Sequence, residues 1–211
     1  MRSITDRAYS YSDEDQLQSA GEASYEYDLD GFLTRKTIGG NETSYQYSRL
    51  GQLLRVDLPD GRRVEYVHDA LGRPAAKKID GEVTEKYLWA GLTRLLATYN
   101  PDDSLHTRFE YAGGRMPVSM TRDGARYYLI HDQVGTLRAV MDQGGSPVKL
   151  LEYDSFGNVV SDSAPEFAVP FGFAGGFADK DTGLVRIPAP QNTGNRTVSH
   201  AYDSPGARRV F

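Results

Sequence analysis

The feature that most constrains this chain is a glycine that returns about every 21 residues, each time just after an aromatic-led run and a polar residue. Residues 25–33 (YEYDLDGFL), 45–53 (YQYSRLGQL), 65–73 (EYVHDALGR), 129–137 (LIHDQVGTL) and 152–160 (EYDSFGNVV) align on Gly31, Gly51, Gly72, Gly135 and Gly157. Gly91 and Gly113 keep the beat between Gly72 and Gly135. A short polar side chain that bonds its own backbone, followed by a glycine free to take positive φ, is the chemistry of a tight reversal. A chain that reverses at a fixed short interval has little choice beyond a train of hairpins.

A second turn signal lies halfway through most periods: Gly39-Gly40, Asp60-Gly61, Asp80-Gly81, Asp102-Asp103, Asp123-Gly124 and Gly144-Gly145. Asp-Gly between alternating segments predicts a two-residue type I′ hairpin. Residues 54–58 and 137–141 show the period of two that belongs to a strand with one buried face. With 22 glycines and 14 tyrosines against one tryptophan, the composition agrees with this. The run at residues 87–96, YLWAGLTRLL, competes as a helix, but its internal Gly91 and its Tyr, Trp and Thr favour strand. The expected fold is all-β, a long antiparallel meander of some 13 or 14 strands with little helix. Such a sheet must twist and coil, and its edges need partners.

The formal net charge is −5, and Lys77-Lys78 and Arg62-Arg63 are isolated basic pairs. They are read as solvated strand positions, and a bulk grip on nucleic acid is not expected. No cysteine is present, so disulfide and thiol chemistry are excluded. No apolar run approaches a membrane span, and the start MRSITDRAYSYSDEDQ lacks the apolar core of a signal peptide.

Candidate chemistry is sparse. His68-Asp69 and His131-Asp132 share a repeat phase, which places the histidines at equivalent ends of different hairpins rather than around one metal. The aspartates at 28 and 30 and at 179 and 181 look like calcium loops, but the twelfth position holds Gly39 and Pro190 instead of a bidentate glutamate. No cofactor or metal is expected. The tyrosines have two readings: exposed rings that stack on sugars, or rings buried between repeats with the hydroxyl reaching a neighbouring strand.

The elements Tyr27-Asp28-x-x-Gly31 and Tyr153-Asp154-x-x-Gly157 resemble the YD repeats of bacterial Rhs proteins, which are shared with ABC-type insecticidal toxin components and with teneurins. Near the end the match includes the turn at Asp132 and Gly135. It continues with Pro170-Phe171-Gly-Phe173-Ala-Gly175 and Asp181-Thr-Gly183-Leu184, in the order of the Rhs-associated core. The resemblance implies a lead-in at residues 1–20, YD repeats at 21–126, a core-like segment at 127–187 and a divergent, loop-rich tail at 188–211. It also implies a β-ribbon spiral forming part of a hollow shell, with the rest of the shell or an enclosed toxin domain as partner. A bacterial chain, cytoplasmic before export, is expected on the same ground.

Self-cleavage in the family is attributed to carboxylates near an Asp-Pro motif. That motif is missing here, and Asp203 is the one matching carboxylate. A structural, non-catalytic role is therefore expected, with a cell-surface carbohydrate-binding module as the alternative and an aspartic self-protease as the third reading.

Overall fold

A computed structural model describes residues 8–155, 157–187 and 200–202. Sixteen strands form one antiparallel sheet in which every neighbour in space is a neighbour in sequence. They are β1 (Tyr9–Tyr11), β2 (Leu17–Ala20), β3 (Ala23–Tyr27), β4 (Leu33–Ile38), β5 (Asn41–Tyr47), β6 (Leu53–Asp57), β7 (Arg63–His68) and β8 (Pro74–Ile79), then β9 (Glu82–Ala90), β10 (Arg94–Tyr99), β11 (Leu105–Glu110), β12 (Ser119–Arg122), β13 (Ala125–His131), β14 (Leu137–Met141), β15 (Pro147–Tyr153) and β16 (Val159–Asp162). A small second sheet joins β17 (Phe177–Ala178), β18 (Val185–Ile187) and β19 (His200–Tyr202). Helix is confined, among the described residues, to one 3-10 turn at Phe173–Gly175. The all-β meander is as expected, with two or three more strands in the main sheet. The run at 87–96 is a strand, a turn at Gly91 and the start of a second strand. His200–Tyr202, expected in loop, pairs with β18.

The repeat turns explain the pattern residue by residue. The Asp28 backbone N–H donates to the Phe32 carbonyl, and Gly31 N–H donates back to the Asp28 carbonyl. The Asp28 carboxylate accepts from the N–H groups of Asp30 and Phe32, at 3.0 and 2.9 Å. Asp69 and Asp132 repeat this pair of bonds, and Ser48 does so through its hydroxyl. The carboxylate thus supplies acceptors for the N–H groups that a tight turn leaves unpaired. The glycine, with φ of 83° at Gly31 and 89° at Gly157, takes the left-handed position that closes the turn.

The mid-period turns divide. Gly39-Gly40, Asp80-Gly81 and Asp123-Gly124 have both residues at positive φ, as a type I′ hairpin requires. At Asp60-Gly61 only the glycine is left-handed, and the Leu58–Arg62 bonds match those of the Asp28 turn. The preceding Leu58-Pro59 lengthens this loop, so the expected two-residue turn gives way to the five-residue form.

One face of the sheet is apolar. Tyr45, Val56 and Val64 sit opposite one another across three strands, and all are buried. Leu129 and Val140 form a similar pair on β13 and β14. An open apolar face of this extent needs a cover. The cover is the chain itself after β16.

Candidate functional site

Beyond Asp162 the chain adds no further strand to the main sheet but returns across its buried face. Residues 164–187 lay a row of rings against strand aromatics. Phe167 meets Tyr127 and Phe171 meets Phe109, both with centroids 5.1 Å apart, and Phe173 meets Tyr153 at 6.1 Å. Phe177 meets Tyr87 at 5.1 Å and Trp89 at 5.5 Å. These edge and tilted contacts are the favoured ring geometries. Leu184 joins the other apolar cluster, which includes Leu17, Tyr45, Val56 and Val64.

An irregular segment buried on a sheet has carbonyls that no ladder satisfies. Long cationic side chains meet this need. Lys149 Nζ donates to the Ala164 carbonyl at 2.6 Å, Arg122 to that of Ala168 at 2.7 Å and Arg115 to that of Ala174 at 3.0 Å. In the other direction Ala174 N–H donates to the buried Thr136 hydroxyl at 3.0 Å.

Two buried lysines fix the two ends. At the start, Lys149 Nζ also binds both oxygens of Asp162, at 2.6 and 2.7 Å. Near the end, Lys77 Nζ lies 2.7 Å from Asp181 Oδ2, 3.4 Å from Asp179 Oδ1 and 3.5 Å from Glu85 Oε2. Tyr66 donates its hydroxyl to Asp179 Oδ2 at 2.9 Å, and Arg62 reaches Asp181 Oδ1 at 3.4 Å. Asp179 Oδ1 also takes the Asp181 N–H at 2.8 Å, so the loop that carries the two acids is shaped by one of them.

The charges in this clamp reinforce each other. Burial pushes the Asp181 carboxyl up, but the Lys77 hydrogen bond and the charges of Lys77, Lys180 and Arg62 outweigh it, leaving Asp181 below the usual carboxylate range. Burial pulls the Lys77 ammonium down, and Asp179, Asp181 and Glu85 outweigh that to hold it above its ordinary value. The Tyr66 hydroxyl is pushed far above its ordinary value by burial and by the Asp179 charge. Asp181 therefore serves as a fixed anion and Lys77 as a fixed cation.

The turn aspartates and glycines sit along the rim of the sheet, and the core-motif residues lie on the returning segment. Pro170 gives its carbonyl to the Ala178 N–H at 3.3 Å. Phe171, Phe173, Asp181 and Leu184 make the contacts above, and Gly183 N–H donates to the Asp179 carbonyl. Gly157 and Gly175 are required by space as well as by φ. A Cβ at Gly157 would meet the Phe173 ring at 2.7 Å, and one at Gly175 would meet Met116 Sδ at 2.6 Å. Asp203 lies outside the described residues.

His68 and His131 end β7 and β13, with five strands between them. Burial lowers the affinity of each ring for a proton, and the nearby Arg186 charge adds to this at His68. The Tyr27 hydroxyl donates to the Leu17 carbonyl and that of Tyr111 to the Leu95 carbonyl, at 2.9 and 2.8 Å, while Tyr25, Tyr45 and Tyr87 are buried. Burial pushes the Tyr27 and Tyr153 hydroxyls up to about 12. Tyr9, Tyr11 and Tyr128 are exposed.

The reading of Lys77 as a solvated position is corrected: its exposure is 3%. Arg62, read in the same way, is partly exposed and reaches the clamp. Adjacent lysines carry no mark of burial. Only strand alternation hinted at it, since one of two neighbouring residues on a strand must face the covered side. Tyr66 and Arg186 carry no local signal either, because their partners lie 113 and 114 residues away along the chain, while Lys149 is drawn in by Asp162 and Ala164, at and just beyond the end of the next strand.

Compared with known proteins, the chain matches the family described as Teneurin YD-shell over residues 1–196. It is 32% identical to Teneurin-1 of Gallus gallus over 182 residues, which is 84% of this chain and 7% of that protein. Teneurin-m of Drosophila melanogaster is 31% identical over 175 residues, 81% of this chain and 6% of that protein. The chain thus spans about 7% of the length of these curated relatives. Among solved structures, the TcdB2-TccC3 crystal structure aligns over 85% of this chain and 16% of that one, at 11% identity and a TM-score of 0.32. The Photorhabdus luminescens Tc holotoxin pore aligns over 92% and 17%, at 11% identity and a TM-score of 0.34. The teneurin relatives are animal proteins, and this overturns the bacterial, cytoplasmic assignment made from the repeats. The pattern consists of turn and packing residues, which any such ribbon needs, and it carries no address.

Proposed function

The chain belongs to the teneurin YD-shell family, and from that premise we propose that it is a non-catalytic wall segment of a YD-repeat shell. Its repeats supply the wall, its returning segment closes and braces the inner face, and the shell encloses or carries another polypeptide. A toxin domain is the cargo that the Rhs resemblance implies. Residues 1–20, 21–126, 127–187 and 188–211 are assigned as lead-in, repeats, core-like brace and tail.

The observation that carries this reading is the Lys77 clamp. Asp179 and Asp181 are two carboxylates that share one cation, and an acid–base dyad needs one carboxyl to keep a proton while the other is free. Here Lys77 bridges both, and Tyr66 caps Asp179. The pair is built to brace and not to turn over.

Two experiments test the proposal. The purified chain, incubated for days, keeps the intact mass of all 211 residues; a discrete shortened product would overturn the non-catalytic reading. In a longer chain carrying adjoining repeats and an appended reporter, the reporter resists added protease. Cleavage at the rate of the free reporter would remove the enclosing role. The carbohydrate reading has less support, since Tyr9 and Tyr11 lie on β1 and Tyr128 on β13, far apart in the strand order.

A further inference from the structure

Arg122 holds the returning segment at Ala168, donating to its carbonyl at 2.7 Å while the guanidinium lies 4.8 Å over the Phe167 ring. Behind it, three neighbouring strands set Thr98 opposite Thr107 and Thr107 opposite Arg122. Arg122 Nε donates to the Thr107 hydroxyl oxygen at 2.9 Å. His106 Nδ1 lies 3.1 Å from the Thr107 hydroxyl and 3.1 Å from that of Thr98. Both threonines are fully buried.

Counting protons fixes the direction of these bonds. Each threonine hydroxyl has one hydrogen to give, and among the described residues neither has an acceptor other than Nδ1. Leaving a buried hydroxyl hydrogen without an acceptor is costly. Nδ1 is therefore the acceptor, and the ring is neutral with its hydrogen on Nε2. A proton on Nδ1 turns both hydroxyl hydrogens toward a donor and sets a second cation two hydrogen bonds from Arg122. The other charges around the ring do not offset this. Lys180 of the returning segment adds to the opposition, while Glu85 on β9 and Asp123 after β12 favour the proton. Glu85, however, already takes the Tyr87 hydroxyl at 2.7 Å and Lys77 at 3.5 Å. Lys77 and Asp179, which line the same cavity of about 60 Å³ as the ring, bind each other. Burial, and after it the Arg122 charge, holds His106 below its ordinary value.

We propose that His106 is an acid-sensitive latch on the returning segment. With the ring neutral, the row from Thr98 through His106 and Thr107 to Arg122 is complete, and Arg122 stays on Ala168. With the ring protonated the row breaks, and the turn at Phe167 and Ala168 opens. The neutral ring is the one the folded row prefers, so the latch is closed above about pH 6.5 and opens as pH falls from there toward the folded value. Lys149 at Ala164 and Lys77 at Asp179 and Asp181 hold without a histidine, so the opened stretch stays tethered at both ends. The latch acts on the brace, and it works in the same way whether or not the wall encloses another polypeptide.

Hydrogen exchange at the Phe167 and Ala168 amides, which donate to the Ala164 and Glu166 carbonyls at 3.1 and 3.0 Å, reads this turn directly. Corrected for the intrinsic effect of pH, their protection in the 211-residue chain should fall roughly threefold or more between about pH 7.5 and about pH 5. His106→Asn keeps an acceptor near the place of Nδ1 and does not titrate. It should abolish that fall while the amides of β4 and β5 behave as in the parent. In the parent chain, the ring nitrogen resonances should show Nδ1 without a hydrogen at about pH 8 and a His106 midpoint below that of an unfolded reference. A hydrogen on Nδ1 at neutral pH, a midpoint at or above the reference, or an asparagine variant that still opens with acid would each overturn the proposal. The first two are read on the parent chain, so they decide even where the variant fails to fold. None of these outcomes touches the wall-segment reading, which rests on the Lys77 clamp.

Discussion

Replacing Lys77 by methionine removes the cation and keeps most of the stem volume. Asp179 and Asp181, with side-chain exposures of 5% and 15%, are then left buried with only Tyr66, Arg62 and backbone N–H groups of their own loop in compensation. Breaking a buried ion pair from one side costs about 3–5 kcal/mol. For a chain of this size that lowers the melting temperature by roughly 6–20 °C. Trp89, the single tryptophan, packs on Phe177 of the returning segment, so its fluorescence in a urea titration reports the release of that segment directly. Adding Asp179→Asn and Asp181→Asn to Lys77→Met should restore much of the loss, because the uncompensated charges are gone. The pH dependence has a definite sign. Asp181 is depressed when folded, so its contribution is present above the unfolded value of about 3.9 and is lost as pH falls through the lower folded value. Lys77 is raised, so its contribution is present below about 10.4 and is lost as pH rises through the folded value. The gap between parent and Lys77→Met should therefore be widest from about pH 4 to about pH 10 and should narrow below. A gap under about 1 kcal/mol at pH 7, or a triple variant worse than the single one, would refute this account of the clamp.

Three further outcomes follow from the turns and the histidines. Gly157→Ala and Gly61→Ala share φ near +89°, but only the first forces a Cβ onto a ring, so urea melts should show Gly61→Ala losing about 1–2 kcal/mol and Gly157→Ala clearly more. Asp15 occupies the left-handed place of the repeat glycine at φ 60°, and Asp15→Gly should stabilise by a few tenths to about 1 kcal/mol in the same assay. Asp103, also left-handed, should gain less from the same change because Lys86 binds its carboxylate at 2.6 Å. His68 and His131 are depressed when folded, so stability should fall as pH drops through about 6.5 toward the folded values, and nuclear magnetic resonance titration should place both below an unfolded reference.

The strand order, the positions of the reversals and the one-sided burial were legible in the chain itself. Each is decided within a few residues: Asp28 caps N–H groups two and four positions on, and Gly31 closes the same turn. Even there, local reading fell short at Asp60-Gly61, where the flanking Leu58-Pro59 selected a longer loop. The buried lysines, the Tyr66 cap and the path of residues 164–187 were decided by the tertiary structure alone. The Lys77 contacts with Asp179 and Asp181 span 102 and 104 residues, and that of Tyr66 spans 113. A repeat pattern carries no information over such distances, because every copy offers the same strand face. Which copies are covered, and which lysine is drawn in with them, is settled only when one segment without the repeat folds back and its acids and rings find their partners.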